Sequence, residues 1–429
     1  MKSPPNCNDP SWKKLLGVAA VSSALSIVIV RNFFDTEKKI KCPIRADYAA
    51  GDDTFVRTMG QLLGPPLLEG NKVTILQNGD EIFPAMLEGI RSATRTITFE
   101  NFLLKDGGIW KQFARALAER ARAGVKVHFL QDAMGCDCLH GEGMKLLKRA
   151  GVEVEVFRFF QLSQMNYRTH RKLLSIDGRV GFIGGVGIAD AWRGDGKTRG
   201  HWRESHYRLE GPVVAQLQQA FIDNWMATRA AVLHGDAYFP DLSKAGTVTG
   251  QVFKSSASEG ADSARVMLLL SIAAARKHIR IANAYFIPDD LCLETLVEAC
   301  RRGVKVEIIT PGPDIDARAV RAVGKMRWPL LLKAGAHFYE YQPARYHCKY
   351  LIVDGCWSSV GSANFDNRSL RLNEEANLNV LDEGFAAKHI KIFEEDKSHS
   401  RRVTLADWRR RPLEEKIKGA ACLFLRSQM

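Results

Sequence analysis

His170-Arg171-Lys172-Leu173-Leu174-Ser175-Ile176-Asp177 reads H-x-K-x4-D, and His347-Cys348-Lys349-Tyr350-Leu351-Ile352-Val353-Asp354 reads the same way. Each stretch is followed at the same offset by a glycine step, Gly184-Gly185 in the first copy and Gly361-Ser362 in the second. With ordinary residue usage one such match arises by chance about 0.03 times per chain. Two copies with matching tails therefore point to duplication.

The sequence around the two copies repeats as well. Val73-Thr74-Ile75-Leu76 has the pattern of a short strand, and Asp80 to Ala93 that of a helix with Ile82, Met86, Leu87 and Ile90 on one face. Thr96 to Phe102 alternates as a strand, Ile109 to Ala123 reads as a helix stopped by Gly124, and Val125 to Leu130 as the next strand. The second half runs in the same order: helix Val266–Ala275, strand His278–Asn283, helix Asp290–Arg301, glycine stop, strand Gly303–Ile309. Strands alternating with helices predict an α/β fold, and 429 residues suit two such domains. The expected division is an N-terminal hydrophobic anchor with a basic flank over 1–45, a first domain over 46–237, a linker region over 238–258 and a second domain over 259–429. The linker's Gly, Pro, Ser and Asp clusters surround one apolar step, Val252-Phe253, which leaves room for a strand of the second half.

Residues Leu15 to Val30 form a 16-residue apolar and small run, bounded by Lys13 and Lys14 before and Arg31 after. A spanning helix needs about 20 residues, and no small-x-small cleavage site follows, so a retained anchor is expected. Arg31, Lys38, Lys39, Lys41 and Arg45 on the C-terminal side outnumber Lys2, Lys13 and Lys14 before the run, so the charge rule favours a cytoplasmic body. The net charge of +13 calls for an anionic partner, nucleic acid or anionic membrane. Trp408-Arg409-Arg410-Arg411-Pro412 is a basic and aromatic stretch that suits a solvated helix end or a membrane surface. Nine cysteines without regular spacing are no disulfide framework, and Cys136-Asp137-Cys138-Leu139-His140 lacks the second half of a zinc site.

On a strand, His170 and Lys172 share one face, as do His347 and Lys349, while Arg171 and Cys348 point away. Two domains meeting about a pseudo-twofold axis would gather both pairs around one cleft. Such a cleft suits phosphodiester chemistry: lysines stabilise the non-bridging oxygens, one neutral imidazole attacks phosphorus, and a protonated one serves the leaving alcohol. Lysines in that role leave no need for a metal or another cofactor. Each imidazole needs an acceptor on its other nitrogen. Glu204 lies 34 residues after His170 and Glu375 lies 28 after His347, so these are the expected orienting carboxylates, with neighbouring Glu374 a competitor. The loop around Arg193-Gly194-Asp195-Gly196-Lys197 absorbs the six-residue difference.

These residues, with Gly361-Ser362-Ala363-Asn364-Phe365-Asp366-x-Arg368-Ser369, Gly184 to Asp190, and Trp202-Arg203-Glu204-Ser205-His206 before Gly211-Pro212-Val213, resemble the phospholipase D superfamily and, within it, the bacterial cardiolipin synthases. The resemblance covers nearly all of the chain after the anchor. It implies two tandem phospholipase D-like domains, each a mixed sheet flanked by helices, sharing one site at the pseudo-twofold interface. It also implies a phosphohistidine intermediate made from phosphatidylglycerol, release of glycerol, and capture of the phosphatidyl group by a second lipid alcohol at the bacterial inner membrane. His170 is then the nucleophile and His347 the acid and then base, with Lys172, Lys349, Ser362 and Asn364 on the phosphate. Asp177 and Asp354 join the site as motif members, chiefly in support of its fold. The sequence departs from the family at Gly187, where the second copy has Asn364, so the cradle is expected to be lopsided. Hydrolysis with water as acceptor, action on nucleic acid, and non-catalytic binding of anionic lipid compete with this reading, and the hydrophobic N-terminus favours lipid over nucleic acid.

Overall fold

The computed structural model describes residues 10–33, 40, 42–157, 166–256 and 262–422, with the side chains of 12–27 in the first helix. Lys38, Lys39 and Lys41 of the basic flank, and residues 257–258 of the expected linker, lie outside the described residues. The first half contains α1 (Pro10–Phe33), α2 (Asp53–Leu63), β1 (Leu68–Gln77), α3 (Asn78–Ser92), β2 (Thr96–Asn101), α4 (Gly108–Arg122), β3 (Lys126–Asp132), α5 (Glu142–Arg149) and β4 (Glu153–Phe157). It continues through β5 (Arg168–Thr169), β6 (Leu173–Ile176), β7 (Val180–Gly184), β8 (Trp202–Arg203), β9 (Ser205–Glu210) and α6 (Val213–Arg229). The second half contains β10 (Val248–Ser255), α7 (Ser263–Ala274), β11 (His278–Asn283), α8 (Asp290–Arg301), β12 (Lys305–Pro311), α9 (Arg318–Ala334), β13 (His337–Tyr341) and β14 (Arg345–Tyr346). It ends with β15 (Lys349–Val353), β16 (Trp357–Gly361), α10 (Asn367–Arg371), β17 (Asn373–Leu381), α11 (Glu383–Ser398), β18 (Ser400–Val403), α12 (Leu405–Arg410) and α13 (Leu413–Cys422).

One sheet runs through the whole molecule, in the order β4-β3-β2-β6-β7-β9-β1-β10-β17-β16-β15-β11-β12-β13-β18. Its two sides mirror one another about the antiparallel β1–β10 seam, where Leu68 faces Gly250 and Asn71 faces Val248. The inner hairpins are antiparallel, while β2, β3 and β4 on one side and β11, β12 and β13 on the other are parallel. The parallel strands need helical crossovers, and the amphipathic helices supply them. In α3, Ile82, Met86, Leu87 and Ile90 are all buried, as their spacing requires. Gly124 and Gly303, at φ +90° and +86°, turn the chain from α4 into β3 and from α8 into β12, a backbone conformation that costs glycine nothing.

Three cores result. One lies under α3, α4 and α5 in the first half, and one under α7, α8 and α9 in the second. The third is shared: α6 and α11 cover the opposite sheet face, and Phe221, Trp225, Tyr207, Tyr350, Phe385 and Phe393 belong to a single cluster drawn from both halves.

One expected boundary is corrected by this packing. The segment before β1 does not belong to the first domain. Phe55, Met59 and Leu63 of α2 are buried in the second half's core, Phe55 meets the Trp357 ring edge-on at 4.8 Å, and Arg276 of the second half donates to the carbonyls of Ala46 and Tyr48. The amphipathic face of α2 needs apolar surface, and the uncovered flank of α7 and β10 provides it. The strand for which the linker's apolar step leaves room is β10, whose pairing with β17 and β1 makes it part of the sheet.

The apolar N-terminal run is helical. Leu15, Leu16, Val18, Val21, Leu25 and Ile27 of α1 are all exposed, and among the described residues no helix is long and apolar enough to cross a membrane.

Phe55→Ala is expected to cost about 3–5 kcal/mol, the usual range for emptying a buried aromatic site. Hydrogen exchange should locate the loss of protection in α7 and β16, with α3 and α4 unaffected. Loss centred on α3 and α4 would contradict the assignment of α2 to the second half.

Candidate active site

Two short parallel bridges cross between the halves. β5 pairs with β17, Arg168 opposite Asn373 and Thr169 opposite Glu374; β14 pairs with β8, Arg345 opposite Trp202 and Tyr346 opposite Arg203. Each bridge continues one residue into a histidine, since the His170 N–H donates to the Glu374 carbonyl and the His347 N–H to the Arg203 carbonyl, both at 2.9 Å. The histidine of one half is thereby set beside the next residue of the other half's strand, which is Glu375 or Glu204.

The imidazole–carboxylate pairs are accordingly crossed. His170 Nδ1 lies 3.0 Å from both oxygens of Glu375, and His347 Nδ1 lies 2.5 Å from Glu204 Oε2. Both carboxylates expected from the spacing are present, but each serves the histidine of the opposite copy. The competitor Glu374 points the other way, where it takes Arg171 at 2.9 Å and the Ser256 hydroxyl at 3.0 Å. Arg171 and Cys348 face away from the histidines, as strand alternation requires.

Lys172 and Lys349 are 3% exposed and share the histidines' face. Each ammonium donates to its own histidine's carbonyl at 2.6 Å, and Lys349 also lies 3.0 Å from His347 Nδ1. Burial pushes Lys172 down to about 7 against the pull of Glu375, and pushes Lys349 below the usual lysine range. A dianionic or monoanionic phosphate between these ammonium groups would restore their charge. Burial likewise brings His170 down to about 4, although Glu375 opposes the shift, and His347 well below its ordinary value, with Lys349 acting in the same direction. Both imidazoles have an Nε2 free of the orienting carboxylates, which hold only Nδ1.

The two carboxylates differ. Burial raises Glu375, but His170, Lys172 and the Ser362 hydroxyl outweigh it and hold the group below its ordinary value. Ser362 Oγ donates to it at 2.5 Å, Ser369 Oγ at 2.7 Å and Asn373 Nδ2 at 3.3 Å. Glu204 has the Ser205 N–H at 3.0 Å, and burial leaves it above its ordinary value despite Lys349. Gly185 stands where Ser362 stands in the other half, and a Cβ there would come within 2.4 Å of Glu204 Oε2. The Glu375–His170 pair is thus the one richer in hydrogen-bond donors to its carboxylate, and the Glu204–His347 pair the poorer.

Several expected contacts are revised. Ser362 donates its hydroxyl to Glu375 and accepts the Ala376 N–H at 3.1 Å, so it positions a carboxylate. Asn364 is 4% exposed and its Oδ1 has no partner among the described residues, which leaves the carboxamide open to a ligand. Asp177 and Asp354 make no contact with either histidine or lysine. They sit at φ +52° and +53° in the β6–β7 and β15–β16 turns, followed by Gly178 and Gly355. Asp177 accepts the N–H groups of Thr94, Arg95 and Thr96, and Asp354 those of Arg276, Lys277 and His278. The motif aspartates fasten each hairpin to the start of the neighbouring strand.

An aromatic wall went unread in the sequence. A Cβ at Gly187 would lie 3.0 Å from two ring carbons of Trp192, so the indole fills the place of the missing asparagine. Trp192 stacks on Trp202 at 4.7 Å, and both meet the His347 ring edge-on, at 5.7 and 4.9 Å. Phe102 stands edge-on to His170 at 5.1 Å and 5.3 Å from the Lys172 ammonium. The only available signal was Gly187 itself, a small residue at a position where the other copy carries a larger one.

Comparison with known proteins adds a second line of evidence. The family described as cardiolipin synthase, PLD-like domain, matches residues 86–195 and 268–397. A Pseudomonas putida protein named cardiolipin synthase A is 33% identical over 357 residues, covering 82% of this chain and 74% of that protein. A Staphylococcus aureus protein named cardiolipin synthase is 34% identical over 358 residues, covering 82% and 72%. Among solved structures, a phosphatidylserine synthase from Haemophilus influenzae superimposes with a TM-score of 0.65 at 12% identity, over 87% of this chain and 98% of that one. At that identity the likeness concerns the fold.

Two outcomes follow from this geometry. Because burial lowers Lys172 to about 7, the free site loses this positive charge as pH rises. Competitive inhibition by sulfate, which does not titrate in this range, should therefore weaken by about tenfold per pH unit above about pH 7; an inhibition constant flat to about pH 9 would contradict the assignment. Gly187→Asn must displace the Trp192 ring, at an expected cost of about 1–3 kcal/mol in denaturant unfolding, and Trp192→Leu in the same chain should recover part of it. A single variant as stable as the parent would contradict the occupied position.

Proposed function

The chain belongs to the cardiolipin synthase family of phospholipase D-like proteins and is a phosphatidyltransferase of that superfamily, and from this we propose a two-step transfer through His170. Phosphatidylglycerol enters with its phosphate between Lys172 and Lys349. His170 Nε2 attacks phosphorus, the P–O bond to glycerol breaks, and His347 delivers the proton that the leaving alkoxide needs. A second lipid alcohol, a further phosphatidylglycerol, then gives its proton to His347 and attacks the phosphohistidine, which regenerates His170 and yields cardiolipin.

The observation that carries this reading is the inequality of the crossed pairs. Glu375, held ionised by His170, two serine hydroxyls and an asparagine amide, fixes the His170 Nδ1–H and leaves Nε2 with its lone pair. Glu204 lacks the matching hydroxyl and lies above its ordinary range, which suits a pair that stores and returns a proton. The stacked Trp192 and Trp202 beside His347 make the acid's side of the site apolar, in keeping with a lipid alcohol as acceptor in place of water. The exposed apolar side chains of α1 support a contact with the bacterial inner membrane.

The test is to incubate the purified full-length protein in detergent with phosphatidylglycerol labelled in the phosphate, with and without added phosphatidylethanolamine or glycerol. Cardiolipin and free glycerol are the expected products, and phosphatidic acid alone would overturn transfer in favour of hydrolysis. A denaturing quench at alkaline pH, where the N–P bond of a phosphohistidine survives, should trap labelled protein from the parent and none from His170→Ala. Label retained by His170→Ala and lost from His347→Ala would exchange the two roles.

A further inference from the structure

A cavity of about 460 Å³ lies in the second half, between α9, β13, β18, α12 and the start of α13. Arg321, Lys325, Arg401, Arg410 and Arg411 line it, against the carboxylates of Glu340, Asp407 and Glu415. The acids are already engaged. Glu340 is fully buried and takes Arg321 at 2.5 Å, Arg401 at 2.7 Å and Lys325 at 2.8 Å; Glu415 takes Lys325 at 2.9 Å; Asp407 closes the capping box of α12 with Thr404. Arg410 and Arg411 make no ion pair among the described residues. Arg411 is held over the Trp408 ring at 3.7 Å and donates to the Trp408 carbonyl, so its guanidinium is fixed in place, and Glu415 acts on its charge only through space. Five cationic side chains against three carboxylates leave the cavity with surplus positive charge, which suits an anionic phosphate.

Its surroundings specify which phosphate. Immediately beyond the lining residue Pro412, α13 exposes Leu413 and Ile417 at 70% and 59%, and α9, against which α13 packs, exposes Leu330 at 54%. Large apolar side chains beside arginines are suited to a bilayer interface, where the cations meet headgroups and the aliphatic groups enter the acyl boundary. The lining residue Pro313 is three positions from Asp316, which accepts the Tyr285 hydroxyl at 2.7 Å, and the Tyr285 ring is 6.4 Å from His347. The cavity and the catalytic rim thus share one loop.

We propose that this cavity binds the phosphate of an anionic phospholipid in the bilayer, as a docking site separate from the catalytic histidines that holds the second half against the membrane. The choice of a phospholipid rests on the lipid reading of the active site, but the binding itself needs no turnover. Flotation of the full chain on phosphatidylglycerol and on phosphatidylcholine vesicles at fixed ionic strength reads it directly. Arg410→Glu/Arg411→Glu should reduce the preference for phosphatidylglycerol at least tenfold, and Leu413→Ser/Ile417→Ser should weaken binding to the same vesicles, while turnover of a monomeric short-chain phosphatidylglycerol stays within about twofold of the parent. The His170→Ala protein should keep the full preference, so a failed transfer mechanism and a failed docking site give different results. An unchanged preference in the double arginine variant would overturn the proposal. So would an equal loss in Arg120→Glu/Arg122→Glu on α4, which would mean that net charge alone is responsible, or abolition of the preference by millimolar inorganic phosphate, which would make a soluble anion the ligand.

Discussion

The bond from the His170 N–H to the Glu374 carbonyl, with its counterpart from His347 to Arg203, is the constraint on which the site depends. Each extends a two-residue parallel bridge that leaves one half of the molecule and pairs with the other. The strand that brings a histidine to the centre is thereby registered against the strand that brings the opposite carboxylate. Neither half can assemble a working imidazole–carboxylate pair by itself. The long sheet seamed at β1–β10, and the shared core under α6 and α11, keep the halves from sliding and so protect that register.

Buried charge makes this rigidity necessary. Two histidines, two lysines and two glutamates, each 8% exposed or less, are costly to remove from water unless every one is engaged. The structure meets the demand unequally. Ser362, Ser369 and Asn373 stabilise Glu375 as an anion, whereas Gly185 gives Glu204 no hydroxyl and Gly187 yields its space to Trp192. A duplicated motif has in this way acquired two different halves, one with its carboxylate held by several donors and one set beside an apolar wall.

Much of this was legible in the sequence because it is periodic or repeated. Ile82, Met86, Leu87 and Ile90 announce the buried face of α3, and the two H-x-K stretches announce two equivalent strands. Amphipathicity, however, tells which face of a helix is buried and not what covers it, so chain order alone assigns α2 to the first domain although Phe55 packs on Trp357 of the second. The carboxylates were identified by type and approximate spacing, but spacing within a copy suggested partners 34 and 28 residues away. The actual pairs are 205 and 143 residues apart, a fact of tertiary register that linear distance cannot hold. The motif aspartates looked like site members because they travel with the histidines; their positive φ and their three backbone donors each explain that constancy through the turn.

The crossed pairing is the claim from which the rest follows, and imidazole NMR tests it most directly. In protein labelled with nitrogen-15 at histidine, the His170 Nδ1 proton should appear far downfield, as expected of a buried hydrogen bond to a carboxylate. The account predicts that Glu375→Gln removes this resonance and Glu204→Gln leaves it in place, with the opposite dependence for the His347 Nδ1 proton. Loss of the His170 signal on Glu204→Gln, with no change on Glu375→Gln, would contradict the account at its base.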